Sequence, residues 1–398
     1  MTQSSTAKPR AVQSPARKFD AIPLLDLQRQ YRQIREEVLA AVERVCSSQQ
    51  FVLGAEVEAL EREIADYTGA HAAVGCASGT DALWLALFAA GVQAGDAVIT
   101  TAFSFFASAS AIVRAGARPV LVDVDPDTLN LDPERVNARL RTGGSYKVRA
   151  LLPVHLYGQC ADMDGLQRIA DEFQLSVIED AAQAIGAKWR GQNAGSLGVA
   201  ATFSFYPTKN LSAYGDAGLV TTSDSTLAEH MRNLRNHGSP RRYHHQAIGW
   251  NCRMDAIQAA ILRVKLPHVE TWNQLRRRRA GTYDRLLADA GLVSKTSDSR
   301  VNPLQTSPQA FHVFHQYVIR AHRRDELRKF LADRKIGTEV YYPLPLHLQP
   351  CFAYLGYSAG DLPESERAAR EVLALPMFPE LTEAEQKWVV ESIAEFYS

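Results

Sequence analysis

The sequence has few cysteines, no long apolar run and no excess of charge of either sign, and each of these excludes a class of protein. Its five cysteines are scattered, odd in number and without a C-x-x-C pair, which argues against a disulfide framework or a cysteine zinc site and fits a reducing cytoplasm. No apolar run approaches the roughly 18 residues of a membrane span. Basic and acidic residues number 44 each, so net charge gives no reason to expect nucleic acid or a membrane surface as a partner.

Two local clusters of basic residues remain within this neutral chain. Arg276 to Arg279 follow one another directly, and we interpret them as the solvated face of a helix. His244 and His245 are also adjacent, so their side chains diverge, and no third ligand is evident. We therefore expect no metal site.

The 398 residues are too many for one ordinary core, so we expect two domains. Residues 1–20 are rich in Ser, Gln, Ala, Pro and basic residues, which predicts a disordered leader. After two helices, strands alternate with helices of about ten residues, the pattern of βαβ units and a mostly parallel α/β sheet. We predict a large domain over residues 21–270 and a smaller C-terminal α/β domain over residues 271–398.

The pattern also makes two detailed structural predictions. Residues 200–205 and 218–222 are apolar segments close together in the chain, which predicts an antiparallel edge or hairpin. In the smaller domain, the pattern predicts a strand at 316–320, a helix at 325–333, a strand at 337–340 and two late helices.

The segment ATFSFYPTKNLSAY (residues 201–214) places a lysine just beyond an apolar strand. Burial among apolar and aromatic groups lowers the pKa of a lysine such as Lys209 and frees its amine as a nucleophile. Ser204 and Thr208 supply hydroxyls on the same segment. Taken alone, the segment also fits an ordinary surface lysine at a strand end.

The segment VIEDAAQ (residues 177–183) ends a buried strand in a carboxylate, Asp180. Open α/β sheets bind their ligands at the carboxyl edge of the strands, where an anion can pair with the ring nitrogen of a cofactor. Gln183, three residues later, could bond a ring oxygen. The alternative for Asp180 is a helix N-cap.

Two earlier segments add a turn and an aromatic residue. CASGTDAL (residues 76–83) has the pattern of a strand, a small turn and a helix, and the helix start with the Thr80 hydroxyl offers donors to a phosphate. Phe105, in AFSFFAS (residues 102–108), could stack on a planar ring or belong to the core. The order of turn, aromatic residue, Asp180 and then Lys209 after 29 residues is more specific than any single part.

The combination, with several longer segments, resembles the DegT/DnrJ/StrS family of sugar aminotransferases, which are fold-type I enzymes dependent on pyridoxal 5′-phosphate (PLP). The resemblance extends from about residue 22 to the C-terminus. It is carried by IPLLDL (22–27), SGTDAL (78–83), PVHLYGQCADMD (153–164), IEDAAQAIGA (178–187), FSFYPTKNL (203–211) and YPLPLHLQP (342–350).

This resemblance implies a fold with a large PLP-binding domain and a smaller C-terminal domain, and an aminotransferase activity. Lys209 would carry PLP as a Schiff base and move the proton between carbons. L-glutamate would be the amino donor and a nucleotide-linked keto-sugar the acceptor. The other implied cofactor contacts are Asp180 with the ring nitrogen, Gln183 with the ring oxygen, Phe105 with the ring face, and Gly79, Thr80 and Ser204 with the phosphate.

Residues 236–254 resemble the family's loop that crosses to the partner subunit of a homodimer. The resemblance implies that Asn251 reaches the PLP phosphate of the partner and that Arg253 binds the donor carboxylate. Tyr342 and His347 are candidates to line the acceptor pocket, although Tyr341 stands where many members have His.

The acceptor sugar is the least defined part of the prediction. The segments RRYHH and LYGQCAD are more similar to members that act on 3-keto than on 4-keto sugars. Two alternatives remain open: an aminotransferase for a non-nucleotide acceptor, such as an aminocyclitol or aminobenzoate precursor, and a PLP-binding regulator without turnover.

Overall fold

The computed structural model describes residues 19–144, 146–293 and 299–398. The predicted leader over residues 1–20 therefore lies almost entirely outside the described residues. Within them, no helix is both long enough and apolar enough to cross a bilayer.

The described residues contain twelve α-helices. In chain order they are α1 (Leu27–Ser48), α2 (Ala55–Thr68), α3 (Gly79–Ala89), α4 (Phe106–Arg114), α5 (Pro133–Thr142), α6 (Met163–Phe173), α7 (Ser225–Leu234), α8 (Ala256–Lys265), α9 (Val269–Asp289), α10 (Arg324–Asp333), α11 (Pro363–Glu371) and α12 (Glu383–Tyr397).

Thirteen strands lie in the same ranges and form three sheets. They are β1 (Ala72–Cys76), β2 (Asp96–Thr101), β3 (Arg118–Val122), β4 (Lys147–Leu152), β5 (Ser176–Asp180), β6 (Lys188–Trp189), β7 (Gln192–Asn193), β8 (Ala200–Ser204), β9 (Gly218–Thr222), β10 (Val301–Pro303), β11 (Ala310–Phe311), β12 (Tyr317–Ala321) and β13 (Val372–Leu375).

The main sheet has seven strands in the order β1-β9-β8-β5-β4-β2-β3. Strand β9 runs antiparallel to both β8 and β1, whereas the other neighbours pair in parallel. The mostly parallel sheet is confirmed, and β8 and β9 form the predicted antiparallel pair. Because the parallel strands point the same way, the ends of β1, β2, β5 and β8 meet at one edge of the sheet.

Helices cover both faces of this sheet, which gives three layers in the order αβα. Along β2, Val98 joins the core beneath α3, α4 and α7, while its neighbour Ile99 joins the core beneath α2, α6 and α8. Val177 and Ile178 of β5 divide between the same two cores. Strands buried on both faces explain why they are continuous apolar runs in the sequence.

The C-terminal part has its own sheet, β10-β12-β13, and its own core. Ile22 packs in that core, and its backbone bonds to Lys335 and Gly337. The N-terminal segment thus packs with the C-terminal part, although it is far from it in sequence. The domain boundary near residue 270, which coincides with the start of α9, stays a prediction.

The predicted strand at residues 337–340 was wrong, and a strand at Val372–Leu375 takes the place beside β12. Glu339 makes an isolated bridge to Ala374, and its own carboxylate accepts the N–H of Val340 at 2.8 Å. This bridge does not extend to the residues on either side, so the segment forms no strand.

The interpretation of the arginine run as a solvated helix face was also wrong for Arg276. Its side chain is buried, and its Nη1 donates to the carbonyl oxygens of Phe314, His315 and Met377 at 3.1 to 3.2 Å. Burial lowers the pKa of Arg276 to about 10. Arg276 therefore joins α9 to two loops, while Arg278 of the same run is exposed.

Candidate active site

Lys209 lies in the turn that follows β8, at the carboxyl edge of the main sheet. Its backbone N–H donates to the carbonyl of Tyr206 at 2.8 Å, which fixes the turn that presents the side chain. Burial of the amine lowers the pKa of Lys209 to about 8, and the negative charge of Asp180 opposes part of that shift. The amine is therefore far more often neutral near pH 8 than a solvated lysine would be.

Asp180 is the last residue of β5 and is buried at the same edge. Its Oδ2 accepts a hydrogen bond from the Ser108 hydroxyl at 2.7 Å, and its Oδ1 accepts one from the N–H of Ala182 at 3.3 Å. Burial raises the pKa of Asp180, whereas these hydrogen bonds and the nearby Lys209 lower it. The site thus places an anion and an amine of lowered pKa within electrostatic reach of each other.

The turn between β1 and α3 forms a cradle beside Ser204. Ser78 caps α3, because its hydroxyl accepts the N–H of Asp81 at 3.1 Å. Gly79 follows, and a Cβ there would come within 2.6 Å of the Cβ of Ser204. Because position 79 is a glycine, the start of α3 can lie directly against Ser204. The free N–H groups at the start of α3, the hydroxyl of the half-buried Thr80 and the Ser204 hydroxyl then lie close together. This set of donors suits a phosphate.

Gln183 is buried, and two contacts orient its side-chain amide. Its Oε1 accepts the N–H of Tyr157 at 2.6 Å, and its Nε2 donates to the hydroxyl of Tyr342 at 3.2 Å. The oxygen is thereby held by the backbone, so the NH₂ group faces Tyr342 and keeps one hydrogen for another acceptor. Burial raises the pKa of Tyr342, which keeps its phenol neutral.

Phe105 precedes α4 and leaves 57% of its surface exposed. Its ring centroid lies 6.2 Å from that of Tyr342, so it borders the same group of side chains. An exposed aromatic ring here offers an apolar face to a planar ligand. The core alternative for Phe105 is contradicted by this exposure.

Asn251 and Arg253 lie beside the cradle on a segment that follows α7. This segment is joined to the end of β1, because the N–H of Ala77 donates to the carbonyl of Cys252 at 3.0 Å. Asn251 is exposed. The Nη1 of Arg253 donates to the Oδ1 of Asn236 at 3.2 Å, and its buried Nε has no hydrogen-bond partner. Among the described residues, Asn251 and Arg253 form no hydrogen bond or ion pair with Lys209 or Asp180.

His347 does not line an open pocket, which corrects the prediction made for it. Its side chain has no solvent exposure, and its Nε2 hydrogen-bonds the carboxylate of Glu366 at 3.1 Å. Its ring packs edge-on against Tyr357. The segment 346–348 begins with a backbone hydrogen bond from the N–H of Leu346 to the carbonyl of Ala102. The imidazole of His347 is thereby directed into the protein interior and not toward the site.

Sequence reasoning missed the side chains and backbone groups that orient these residues. Ser104 and Ser108 lie four residues apart in AFSFFAS, a spacing that places both on one face of a helix start, so a signal was present. The N–H of Tyr157, which holds Gln183, carries no sequence signal because any residue except proline has one. Among the described residues, no group of three or more His, Cys, Asp or Glu could hold a metal ion.

The groups gathered at the sheet edge match the parts of PLP. A glycine-dependent cradle suits its phosphate, a buried carboxylate its basic ring nitrogen, an oriented amide its ring oxygen, an exposed aromatic ring its face, and a lysine of lowered pKa its aldehyde. The fold and this set of groups define a PLP-dependent aminotransferase.

The chain belongs to the DegT/DnrJ/EryC1/StrS aminotransferase family, whose family model matches residues 32–394. A pleiotropic regulatory protein of Geobacillus stearothermophilus is 54% identical over 94% of this chain and 98% of its own length. The UDP-N-acetyl-3-dehydro-α-D-glucosamine 3-aminotransferase of Acidithiobacillus ferrooxidans is 43% identical over 91% of this chain and 94% of its own. The crystal structure of DesV from Streptomyces venezuelae, in complex with a ketimine intermediate, has a TM-score of 0.89 and 43% identity, covering 94% of this chain and 98% of its own.

Proposed function

We propose that this aminotransferase moves the amino group of L-glutamate to a nucleotide-linked keto-sugar, with the 3-keto position as the acceptor. The observation that carries the proposal is the pairing of Lys209, whose pKa is lowered to about 8, with the buried carboxylate of Asp180 at the ligand-binding edge of the sheet. The 3-dehydro sugar in the name of the Acidithiobacillus relative supports the choice of acceptor.

The residues around this pair are those that would hold PLP. When bound, PLP supplies a ring that withdraws electrons from the carbon that carries the amino group, which makes that carbon's hydrogen acidic. The proposed contacts are Gly79, Thr80 and Ser204 with the phosphate, Asp180 with the ring nitrogen, Gln183 with the ring oxygen, Phe105 with the ring face, and Lys209 with the aldehyde carbon.

Lys209 is the residue we propose for both covalent attachment and proton transfer. In the first half of the reaction its neutral amine would accept the proton from Cα of glutamate, and in the second half its protonated form would give a proton to the sugar carbon that receives the amine. Burial favours the neutral form needed to accept a proton, and Asp180 keeps the pKa from falling further. A base that titrates near pH 8 can serve in both directions of a reversible transfer.

Asp180 and Gln183 are proposed to hold the ring in one orientation. The carboxylate at the end of β5 would keep a proton on the ring nitrogen, which is the state that attracts electrons. The amide of Gln183 is already fixed by the N–H of Tyr157, so its NH₂ group is directed before a ligand arrives. Preorganised groups of this kind do not have to reorient during the reaction.

Tyr342 is the residue we propose for the acceptor sugar. Its neutral hydroxyl already accepts from Gln183 and lies near Phe105, so a sugar bound there would lie beside the cofactor. His347 is not part of this proposal, because its imidazole is buried against Glu366.

We also propose that two copies of the chain share their sites. Asn251 is exposed and would reach the phosphate in the partner, and Arg253 would bind the donor carboxylate. The same segment exposes 78% of Tyr243 and 86% of Ile248, large apolar surfaces that a second copy would cover. Gel filtration with light scattering, run on the chain and on an Ile248→Arg variant, tests the dimer.

A panel of UDP- and dTDP-linked 3-keto and 4-keto sugars tests the acceptor. The enzyme is first treated with glutamate alone, so that the bound cofactor holds the amino group, and each sugar is then added. Restoration of the original PLP absorbance by 3-keto sugars alone supports the proposal. Restoration by 4-keto sugars contradicts the position, and restoration by none contradicts the nucleotide-sugar class and favours a cyclitol or aminobenzoate precursor.

The name of the Geobacillus relative favours a second candidate, a regulatory role. A regulator without turnover would bind PLP, yet its absorbance would stay unchanged when glutamate is added. Loss of that absorbance on addition of glutamate would show turnover. The lowered pKa of Lys209 favours turnover, because a protein that only binds PLP has no need of a base near pH 8.

A further inference from the structure

Behind Asp180 lies a pair of buried hydroxyls. The side chains of Ser104 and Ser108 are 4% and 1% exposed, and their Oγ atoms are 2.9 Å apart. The Ser108 Oγ is also 2.7 Å from the Oδ2 of Asp180. Ser104 precedes α4 by two residues and Ser108 lies in its first turn, so α4 presents both hydroxyls to the end of β5.

The direction of these hydrogen bonds follows from the number of hydrogens. An ionised carboxylate can only accept, so Ser108 gives its one hydrogen to Asp180. Ser108 then has only lone pairs to offer to Ser104, and Ser104 must donate to it. The chain therefore runs from Ser104 to Ser108 to Asp180, with every O–H pointing toward the carboxylate, and each bond polarises the next.

We propose that Ser104 and Ser108 are positioning residues that keep Asp180 ionised against the ring nitrogen of the cofactor. The inference rests on the role proposed above for Asp180. The proton shared by a carboxylate and a ring nitrogen stays on the nitrogen only if the carboxylate is the weaker base. By donating to Oδ2, Ser108 weakens Asp180 as a base, so the proton, and with it the positive charge of the ring, stays on the cofactor.

Several groups face Asp180 from the elements packed around it. Lys209 and His155 act to lower its pKa, together with the hydrogen bonds from Ser108 and Ala182, while burial acts in the opposite direction and is the largest effect. Tyr342 is also close enough for Asp180 to raise the pKa of its phenol. Attachment of PLP to Lys209 would alter the positive charge that this amine places near Asp180. The two serine hydroxyls would still donate toward the carboxylate.

The test compares PLP with its carbocyclic analogue, in which the ring nitrogen is replaced by C–H. Both are titrated into the full-length apoenzyme, and the ratio of the two dissociation constants measures the preference for a ring nitrogen. The ratio is independent of general damage to the fold, because such damage weakens both ligands alike. The variants are Ser108→Ala, Ser104→Ala and Asp180→Asn, with Ser110→Ala as the control on the same helix, since the Ser110 hydroxyl bonds to the carbonyl of Ala107.

We expect Ser108→Ala to reduce the preference for PLP by about tenfold, the effect of one hydrogen bond to a charged group. Ser104→Ala should reduce it less, and Ser110→Ala should leave it at the wild-type value. If Asp180→Asn reduces the preference and Ser108→Ala does not, the hydroxyl chain has only a structural role and the inference is wrong. If Asp180→Asn also leaves the preference unchanged, Asp180 does not pair with the ring nitrogen, and the proposed role of Asp180 fails with it.

Discussion

Gly79 and Ser204 are in such close contact that a Cβ added to Gly79 would lie 2.6 Å from the Cβ of Ser204 and 3.1 Å from its Cα. One residue opens α3 and the other ends β8, so this contact joins two elements at the sheet edge. The phosphate cradle depends on it, because the N–H groups of α3 and the Ser204 side chain converge only at that distance.

A Gly79→Ala substitution should therefore weaken PLP binding. The added methyl group collides with the Cβ of Ser204, and overpacking of this kind costs about 1–3 kcal/mol. If PLP binding bears that cost, the dissociation constant rises by about fivefold to 150-fold. Fluorescence titration of the apoenzyme with PLP measures it. Gly281→Ala is the matched control: nothing lies within 4 Å of a Cβ at Gly281 in α9, so it should leave PLP binding unchanged and stabilise the fold by about 0.5–1 kcal/mol.

Covalent attachment of PLP to the apoenzyme should depend on pH through the amine of Lys209. Only the neutral amine is a nucleophile, so the initial rate of attachment should rise with pH and reach half its maximum near pH 8, where burial places the pKa. Asp180→Asn should move that midpoint to lower pH, because Asp180 raises the pKa of Lys209. Asp164→Asn, at the exposed pair with Arg190, should leave it unchanged; a midpoint that ignores Asp180→Asn would contradict the pairing.

A second buried lysine, Lys265, should make the stability of the apoenzyme depend on pH. Its Nζ donates to the carbonyl and hydroxyl of Ser212 at 2.8 and 3.0 Å, and burial lowers the pKa of Lys265 to about 7. Above pH 7 the unfolded chain binds more protons than the folded one, up to the ordinary lysine pKa near 10.4, so the free energy of unfolding rises with pH in that window.

Urea unfolding between pH 7 and 9 measures this contribution. The slope should be smaller in Lys265→Met than in the wild type by about 1.4 kcal/mol per pH unit, the value for one proton. Lys387→Met, at an exposed i,i+4 pair with Glu391, should keep the wild-type slope. Equal slopes in Lys265→Met and the wild type would show that Lys265 titrates normally.

The arginine run of α9 offers a direct comparison of a buried and an exposed side chain. Arg276→Ala would leave three carbonyl oxygens without their donor, and we expect a loss of about 3 kcal/mol in the free energy of unfolding. Arg278→Ala, exposed on the same helix, should change it by less than about 0.5 kcal/mol. Equal losses would contradict the buried role of Arg276.

Much of the fold could be predicted because burial on both faces of a parallel sheet leaves a strong pattern. The predicted segments at residues 200–205 and 218–222 agree with β8 and β9. The strand at Val372–Leu375 was missed, since four apolar residues directly after a helix look like its continuation. Periodicity at residues 337–340 could not reveal that only Glu339 would pair with Ala374, as an isolated bridge.

Some residues of the site could likewise be predicted from the sequence, and others could not. Lys209 and the Gly79 turn follow strands and Asp180 ends one, and strand ends are predictable once the sheet is. His347 was misplaced because the motif around it fixes its sequence position and not the direction of its ring, which Glu366 determines. The contact between Tyr157 and Gln183 depends on a backbone N–H, and Ser108 approaches Asp180 across 72 residues of chain, so only the assembled structure brings them together.

The most direct test of the central proposal is identification of the lysine that carries PLP. The holoenzyme is reduced with borohydride, digested and analysed by mass spectrometry, with Lys209→Ala treated in parallel. We expect the pyridoxyl group on the peptide containing Lys209, and no labelled peptide from Lys209→Ala. A pyridoxyl group on Lys265 or any other lysine of the wild type would contradict the assignment.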